Sequence, residues 1–107
     1  MVADNISGEI ALLQACLNGA RALAEHHALP ISPAAIAADA IAARAAGANA
    51  LHVHPRDSDG AESLRASDIA ATVRAVREAV PDMPVGVATG AWVEPDPDRR
   101  LALIEGW

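Results

Sequence analysis

The 107-residue sequence has no phenylalanine or tyrosine, two tryptophans and one cysteine. One cysteine excludes an intramolecular disulfide and suits a reducing cytoplasm. Cys16 lies in an apolar run without an obvious activating neighbour, so we interpret it as a packing residue rather than a catalytic thiol. Although 52% of the residues are hydrophobic, much of this content is alanine. The composition therefore favours helices packed closely against a sheet that is part of a larger one.

The sequence also has no basic surplus, no leader pattern and no membrane-length apolar run. Its formal net charge of −6 argues against nucleic acid or an anionic membrane as a partner. The N-terminus lacks a basic region followed by a long apolar core, so we expect no signal peptide. No uncharged apolar stretch is long enough to span a bilayer. We expect a soluble, cytoplasmic protein.

Three apolar segments alternate with helical ones. The apolar segments predict strands at residues 10–17, 50–54 and 85–88. Ser32-Pro33, Ser67 and Asp96-Pro97 predict helix starts, and Gly47 predicts a left-handed exit from the first helix. We expect the third helix to continue to the last residue, Trp107.

The strand ends recur at roughly 35 residues, the period of one βα unit. This alternation predicts an α/β fold with a parallel sheet and right-handed crossovers. Three units do not close a sheet, and an open edge strand promotes association. We therefore expect the N-terminal part of a larger α/β fold, or a chain that needs a partner.

His52 and His54 are the first candidates for chemistry. Alternate strand residues point to the same face, so the two imidazoles emerge together while Leu51 and Val53 point into apolar packing. Pro55 ends the strand, which puts the pair at a carboxyl end, where α/β proteins usually place their sites. Two imidazoles so placed are able to share a metal ion. The alternative is a pair of hydrogen-bonded structural histidines.

The loops after the three strands are expected to meet at one end of the sheet. Arg21 and Arg56 are candidates to bind a carboxylate or phosphate; the alternative is solvation or, for Arg56, pairing with Asp57. Thr89 adds a hydroxyl, and Gly90 lets a ligand approach the backbone. A weaker metal candidate consists of three adjacent residues, Glu25, His26 and His27.

Four motifs resemble the β-keto acid cleavage enzymes: QACLNGA (14–20), AGA (46–48), LHVHPRD (51–57) and VGVATGAW (85–92). The resemblance implies a (β/α)8 TIM barrel, of which this chain covers about the first three βα units, and a homo-oligomer. It also implies a catalytic Zn²⁺ whose first two ligands are His52 and His54. The family's third ligand, a glutamate on a late strand, and its catalytic arginine and aspartate have no counterpart in this chain. The chain alone is therefore expected to be inactive.

The family reaction converts a β-keto acid and acetyl-CoA into acetoacetate and a new acyl-CoA by a retro-Claisen route. The resemblance places Asn18, Arg21, Thr89 and Gly90 at the substrate. Arg21 stands where the aminohexanoate-cleaving members have a glutamate for the substrate amine, which suggests a substrate with a negative or polar tail. Ala88 replaces a family serine, which also leaves the substrate open.

Two other functions remain possible from the residues alone. A metal-dependent barrel hydrolase also uses His-x-His at a strand end, but those families place it on the first strand. A truncated, non-catalytic subunit that only binds metal or another chain is the second alternative.

Overall fold

A computed structural model describes residues 12–107, which form three strand–helix units. The strands are β1 (Gln14–Cys16), β2 (Ala50–Val53) and β3 (Val85–Val87), and the helices are α1 (Pro33–Ala45), α2 (Ala66–Ala79) and α3 (Pro97–Glu105). A short 3-10 turn, Leu23–Glu25, lies in the loop after β1. Between residues 12 and 107, no helix is both long and apolar enough to cross a bilayer.

The sheet has the strand order β1-β2-β3, and both pairings are parallel, as predicted. The central register aligns Cys16, His52 and Gly86 across the three strands. The three strands are shorter than the predicted segments. Residues 10 and 11 of the first predicted strand lie outside the described residues. The three strands form an α/β sheet, while closure into a barrel stays a prediction.

The hydrophobic core lies between the sheet and the first two helices. Leu51 and Val53 of β2 are buried there with Ile36 of α1 and Val76 of α2. Burying a side chain of this size stabilises the fold by about 1.5–3 kcal/mol relative to leaving it exposed. Because strand side chains alternate, His52 lies on the opposite face, which α1 and α2 do not cover.

Two predicted helix starts are confirmed. The Ser32 hydroxyl accepts the N–H of Ala35 (3.1 Å) ahead of α1. The Asp96 carboxylate accepts the N–H of Asp98 (3.3 Å) ahead of α3. Both serine and aspartate satisfy N–H groups that the first helical turn leaves without a carbonyl partner. Gly47 has a positive φ of 111°, as predicted for the residue at which the chain leaves α1.

The predicted cap at Ser67 is wrong, because α2 begins at Ala66, after Arg65. The turn before the helix is stabilised instead by Ser63, whose hydroxyl accepts the N–H of Arg65 (3.1 Å) and donates to Asp68 (2.5 Å). Ser67 therefore lies inside the first turn.

The expected continuation of α3 to Trp107 is also wrong. The helix ends at Glu105, and Gly106 follows as its C-cap. The Trp107 indole N–H donates to the carbonyl of Leu64 (2.8 Å), a contact that turns the last residue back toward the segment before α2.

Candidate metal centre

His52 and His54 converge on the open face of the sheet. Their ring centroids are 5.2 Å apart and the ring planes meet at 78°. Two imidazoles bound to one tetrahedral zinc ion have ring centres roughly 5 Å apart, from typical Zn–N lengths. The two rings lie together on one face, as predicted, at a separation that suits a shared ion, and metal binding stays a prediction.

Asn18 fixes the backbone of His54. Its side-chain oxygen accepts the N–H of His54 (2.9 Å), and its amide nitrogen donates to the carbonyls of His54 (2.9 Å) and Pro30 (3.1 Å). Asn18 is only 3% exposed. The side chain thus extends the pairing between the first two units beyond the ends of their strands. Both ends of the amide are already hydrogen-bonded to backbone groups. The predicted contact of Asn18 with substrate stays a prediction.

Arg56 is buried and joins three segments through their backbone. Its guanidinium donates to the carbonyls of His54 (3.2 Å), Gly60 (3.2 Å) and Gly19 (2.8 Å). The suggested pairing of Arg56 with Asp57 is wrong, because Asp57 accepts from backbone N–H groups of its own turn and lies 3.6 Å from Arg65. The arginine therefore connects the loops after β1 and β2.

Glu62 is a site residue that the sequence did not reveal. The chain after β2 reverses at Gly60 (φ 86°), and an antiparallel bridge pairs Arg56 with Glu62. This reversal places the Glu62 carboxylate 2.8 Å from Nδ1 of His54, with both side chains about nine-tenths buried (10% and 9% exposed). Opposite an ionised carboxylate, which only accepts, Nδ1 would carry the proton, and Nε2 of the neutral ring would keep its lone pair.

Trp92 completes this arrangement from the loop after β3. Its indole N–H donates to the other Glu62 oxygen (2.9 Å), and its ring lies nearly parallel to that of His54 (17°, centroids 6.3 Å apart). Gly90 permits this position, because a Cβ there would lie 2.4 Å from the indole. The predicted meeting of the three loops is confirmed by the Arg56–Gly19 and Glu62–Trp92 contacts.

Gly86 makes room for His52. Gly86 pairs with His52 in the register, and a Cβ at this glycine would lie 3.3 Å from His52 Nδ1. Cys16 lies on the other side of His52 in the same register and is exposed. The expectation that Cys16 packs in the interior is wrong, because it shares the sheet face that the helices leave open.

Two cavities adjoin this end of the sheet, and Arg21 lines both. One, of about 430 Å³, is also lined by Cys16, Asn18 and His26. The other, of about 410 Å³, is also lined by Arg56, Glu62 and Trp92. Arg21 and Thr89 are exposed, as substrate-facing residues need to be, although their contact with substrate stays a prediction.

The weaker metal candidate is not a metal site. The Glu25 carboxylate accepts the N–H of Ala22 (2.6 Å), His26 Nδ1 accepts the N–H of Ala28 (3.0 Å), and the His26 and His27 rings stack 4.7 Å apart. In the described part of the chain, no three or more His, Cys, Asp or Glu side chains form a group able to hold a metal. Residues 12–107 therefore offer the two imidazoles of His52 and His54 and no third ligand.

The fold and the site together define an α/β protein with a candidate centre at the carboxyl ends of parallel strands, where this class places its chemistry. A model of the beta-keto acid cleavage enzyme family matches residues 11–106. The chain therefore belongs to that family, which confirms the resemblance seen in its motifs.

Two curated relatives carry the name 3-keto-5-aminohexanoate cleavage enzyme. The protein from Fusobacterium nucleatum subsp. nucleatum is 33% identical over 95 residues, which cover 88% of this chain and 35% of the relative. The protein from Acetoanaerobium sticklandii is 31% identical over 94 residues, which cover 87% of this chain and 34% of the relative. The chain thus spans about a third of the length of these relatives.

Proposed function

We propose that the chain forms the first three βα units of a zinc-dependent β-keto acid cleavage enzyme with a (β/α)8 barrel. The enzyme would convert a β-keto acid and acetyl-CoA into acetoacetate and a new acyl-CoA, and it would act as a homo-oligomer in the cytoplasm. Family membership supports the reaction class. The observation that carries the proposal is the convergence of His52 and His54 at 5.2 Å on the open sheet face.

His52 and His54 are the residues that would hold the zinc ion. Neutral imidazole is a common zinc ligand, and the Glu62 contact leaves Nε2 of His54 available. When bound, zinc supplies Lewis-acid polarisation of the substrate's keto oxygen. A third ligand would come from a later strand of the barrel.

The other residues would bind and orient the substrate. Arg21, exposed beside both cavities, would pair with a negative or polar tail. Thr89 would donate or accept through its hydroxyl. Gly90 would contribute only its backbone, because the Trp92 indole fills the space beside its Cα. Asn18 would act at the same site, through the hydrogen bonds that fix His54.

Metal binding is the first test. Zinc titration of the full-length protein should show about one ion per chain, and His52→Ala should abolish that binding. Replacing His27, a histidine that lies outside the pair, with alanine controls for the loss of an imidazole elsewhere. Equal zinc content in His52→Ala and the parent protein would contradict the proposal.

Turnover is the second test. We expect no acetoacetate from the chain alone with zinc, acetyl-CoA and a panel of β-keto acids, because the late-strand groups are missing. A chimaera in which the chain replaces the matching third of the Fusobacterium relative should produce acetoacetate and lose it on His52→Ala. Acetoacetate formation that survives His52→Ala would overturn the catalytic assignment, and a zinc-loaded, folded chimaera without turnover would favour a non-catalytic role.

A further inference from the structure

We propose that Glu62 is a positioning residue that holds His54 in the Nδ1–H tautomer and aims Nε2 at the metal, and that Trp92 holds Glu62 in place. This proposal rests on the metal-binding role proposed for His54. It assigns a role to a carboxylate that lies outside the ligand pair and to an indole from a different loop.

The contacts constrain both the backbone and the ring of His54. Asn18 and Arg56 hold its backbone, Glu62 lies 2.8 Å from its ring Nδ1, and the Trp92 ring lies nearly parallel to its ring with centroids 6.3 Å apart. A metal-binding histidine commonly donates its other ring N–H to a carboxylate, which sets the tautomer and raises the basicity of the ligand nitrogen. The Glu62–His54 contact has the chemistry of that arrangement.

The geometry makes Glu62 an orienting group rather than a ligand. Each of its two oxygens has a donor: Oε2 faces His54 Nδ1, and Oε1 accepts the Trp92 indole N–H. A carboxylate that is only 9% exposed is costly to bury unless its charge is hydrogen-bonded or paired. The two N–H donors provide hydrogen bonds, and a cation at Nε2 of His54 would provide the compensating charge.

Trp92 controls the orientation of that carboxylate. The loop after β2 delivers Glu62, and the loop after β3 delivers Trp92, so their contact ties the second unit to the third at the site. The indole lies directly over Gly90, where even a methyl group would displace it. Trp92 thus constrains the orientation of the carboxylate so that one of its oxygens faces His54.

The test combines tautomer measurement with zinc affinity. Nitrogen-15 NMR of the histidine side chains in the metal-free protein should show His54 as the Nδ1–H form. Glu62→Gln offers one acceptor oxygen where two N–H donors converge, so the His54 ring should lose that single form. Zinc affinity should fall about 10- to 100-fold. Glu78→Gln, the same change on the exposed side of α2, should alter neither.

Trp92→Phe separates the two parts of the proposal. It keeps an aromatic ring at this position and removes the indole N–H, so we expect a smaller loss of zinc affinity, below about tenfold. It also provides the test if Glu62→Gln does not fold. Trp92→Phe should also broaden or shift the His54 side-chain NMR signals, because the Glu62 carboxylate loses the indole hydrogen bond that holds it.

The outcomes distinguish this proposal from the proposed function. A protein that binds no zinc but shows a Glu62-dependent Nδ1–H tautomer would refute the metal role and support the positioning of His54. Zinc binding lost in His52→Ala but unchanged in Glu62→Gln, with the His54 tautomer also unchanged, would overturn the positioning role and leave the zinc site intact.

Discussion

Replacing Asn18 with alanine should loosen the segment that carries His54. The substitution removes three hydrogen bonds made by a side chain that is 3% exposed, two of them to the His54 backbone. The His54 carbonyl keeps its bond from Arg56. The His54 N–H loses its Asn18 acceptor, and the Pro30 carbonyl loses its Asn18 donor. The damage should therefore centre on the His54 amide.

The expected size follows from the cost of leaving a buried polar group unpaired. One such group costs about 1–3 kcal/mol, which corresponds to opening the segment about 5- to 150-fold more often. Asn18→Asp should also be harmful. It keeps an acceptor for the His54 N–H but turns its second oxygen toward two carbonyl oxygens.

Amide hydrogen exchange followed by NMR measures this effect at His54 itself. The His54 amide should exchange about 5- to 150-fold faster in Asn18→Ala than in the parent protein. Asn49→Ala is the matched control, since Asn49 is exposed and its side chain accepts the N–H of Leu13 at the other end of the sheet. An unchanged His54 exchange rate in Asn18→Ala would refute the structural role given to Asn18.

Three further predictions concern the ligand's neighbour, the core and the substrate. Gly86→Ala should weaken zinc binding measurably, because its Cβ would lie 3.3 Å from His52 Nδ1 and the ring must shift; an unchanged affinity in a zinc titration would contradict this. Thr72→Val should raise the free energy of unfolding by about 1 kcal/mol, because within residues 12–107 the buried Thr72 hydroxyl has no hydrogen-bond partner. Thermal denaturation checks it, and a lower midpoint would show that the hydroxyl contributes to stability. Arg21→Glu in the chimaera should shift turnover toward cationic β-keto acids, and an unaltered substrate profile would remove Arg21 from the substrate tail.

The features that could be predicted from the sequence depend on short-range rules. Strand alternation placed His52 and His54 on one face, opposite Leu51 and Val53, and the structure has them there. The α1 start at Ser32 followed from the cap and proline chemistry of adjacent residues. In each case the deciding interaction spans only a few residues.

The features that were missed depend on the path of the chain in space. Glu62 reaches His54 because the segment between them reverses at Gly60, and no spacing rule links a histidine to a carboxylate eight residues later. Asn18 looked like a ligand-facing loop residue, and only the sheet register shows its amide beside His54.

Two wrong predictions have the same origin. Ser67 is a plausible cap by type, but the helix begins one residue earlier, after a turn that Ser63 stabilises through Asp68 and the Arg65 N–H. The exposure of Cys16 depends on which face of the sheet the helices cover, which an apolar run does not reveal.

The central claim is that the imidazoles of His52 and His54 bind one zinc ion together. Zinc-edge X-ray absorption of the zinc-loaded protein measures this directly. The account predicts two imidazole nitrogens at about 2.0–2.1 Å from the ion, and His52→Ala should leave no bound zinc to give a spectrum. A spectrum with no imidazole ligands, or one that His52→Ala leaves unchanged, would contradict it.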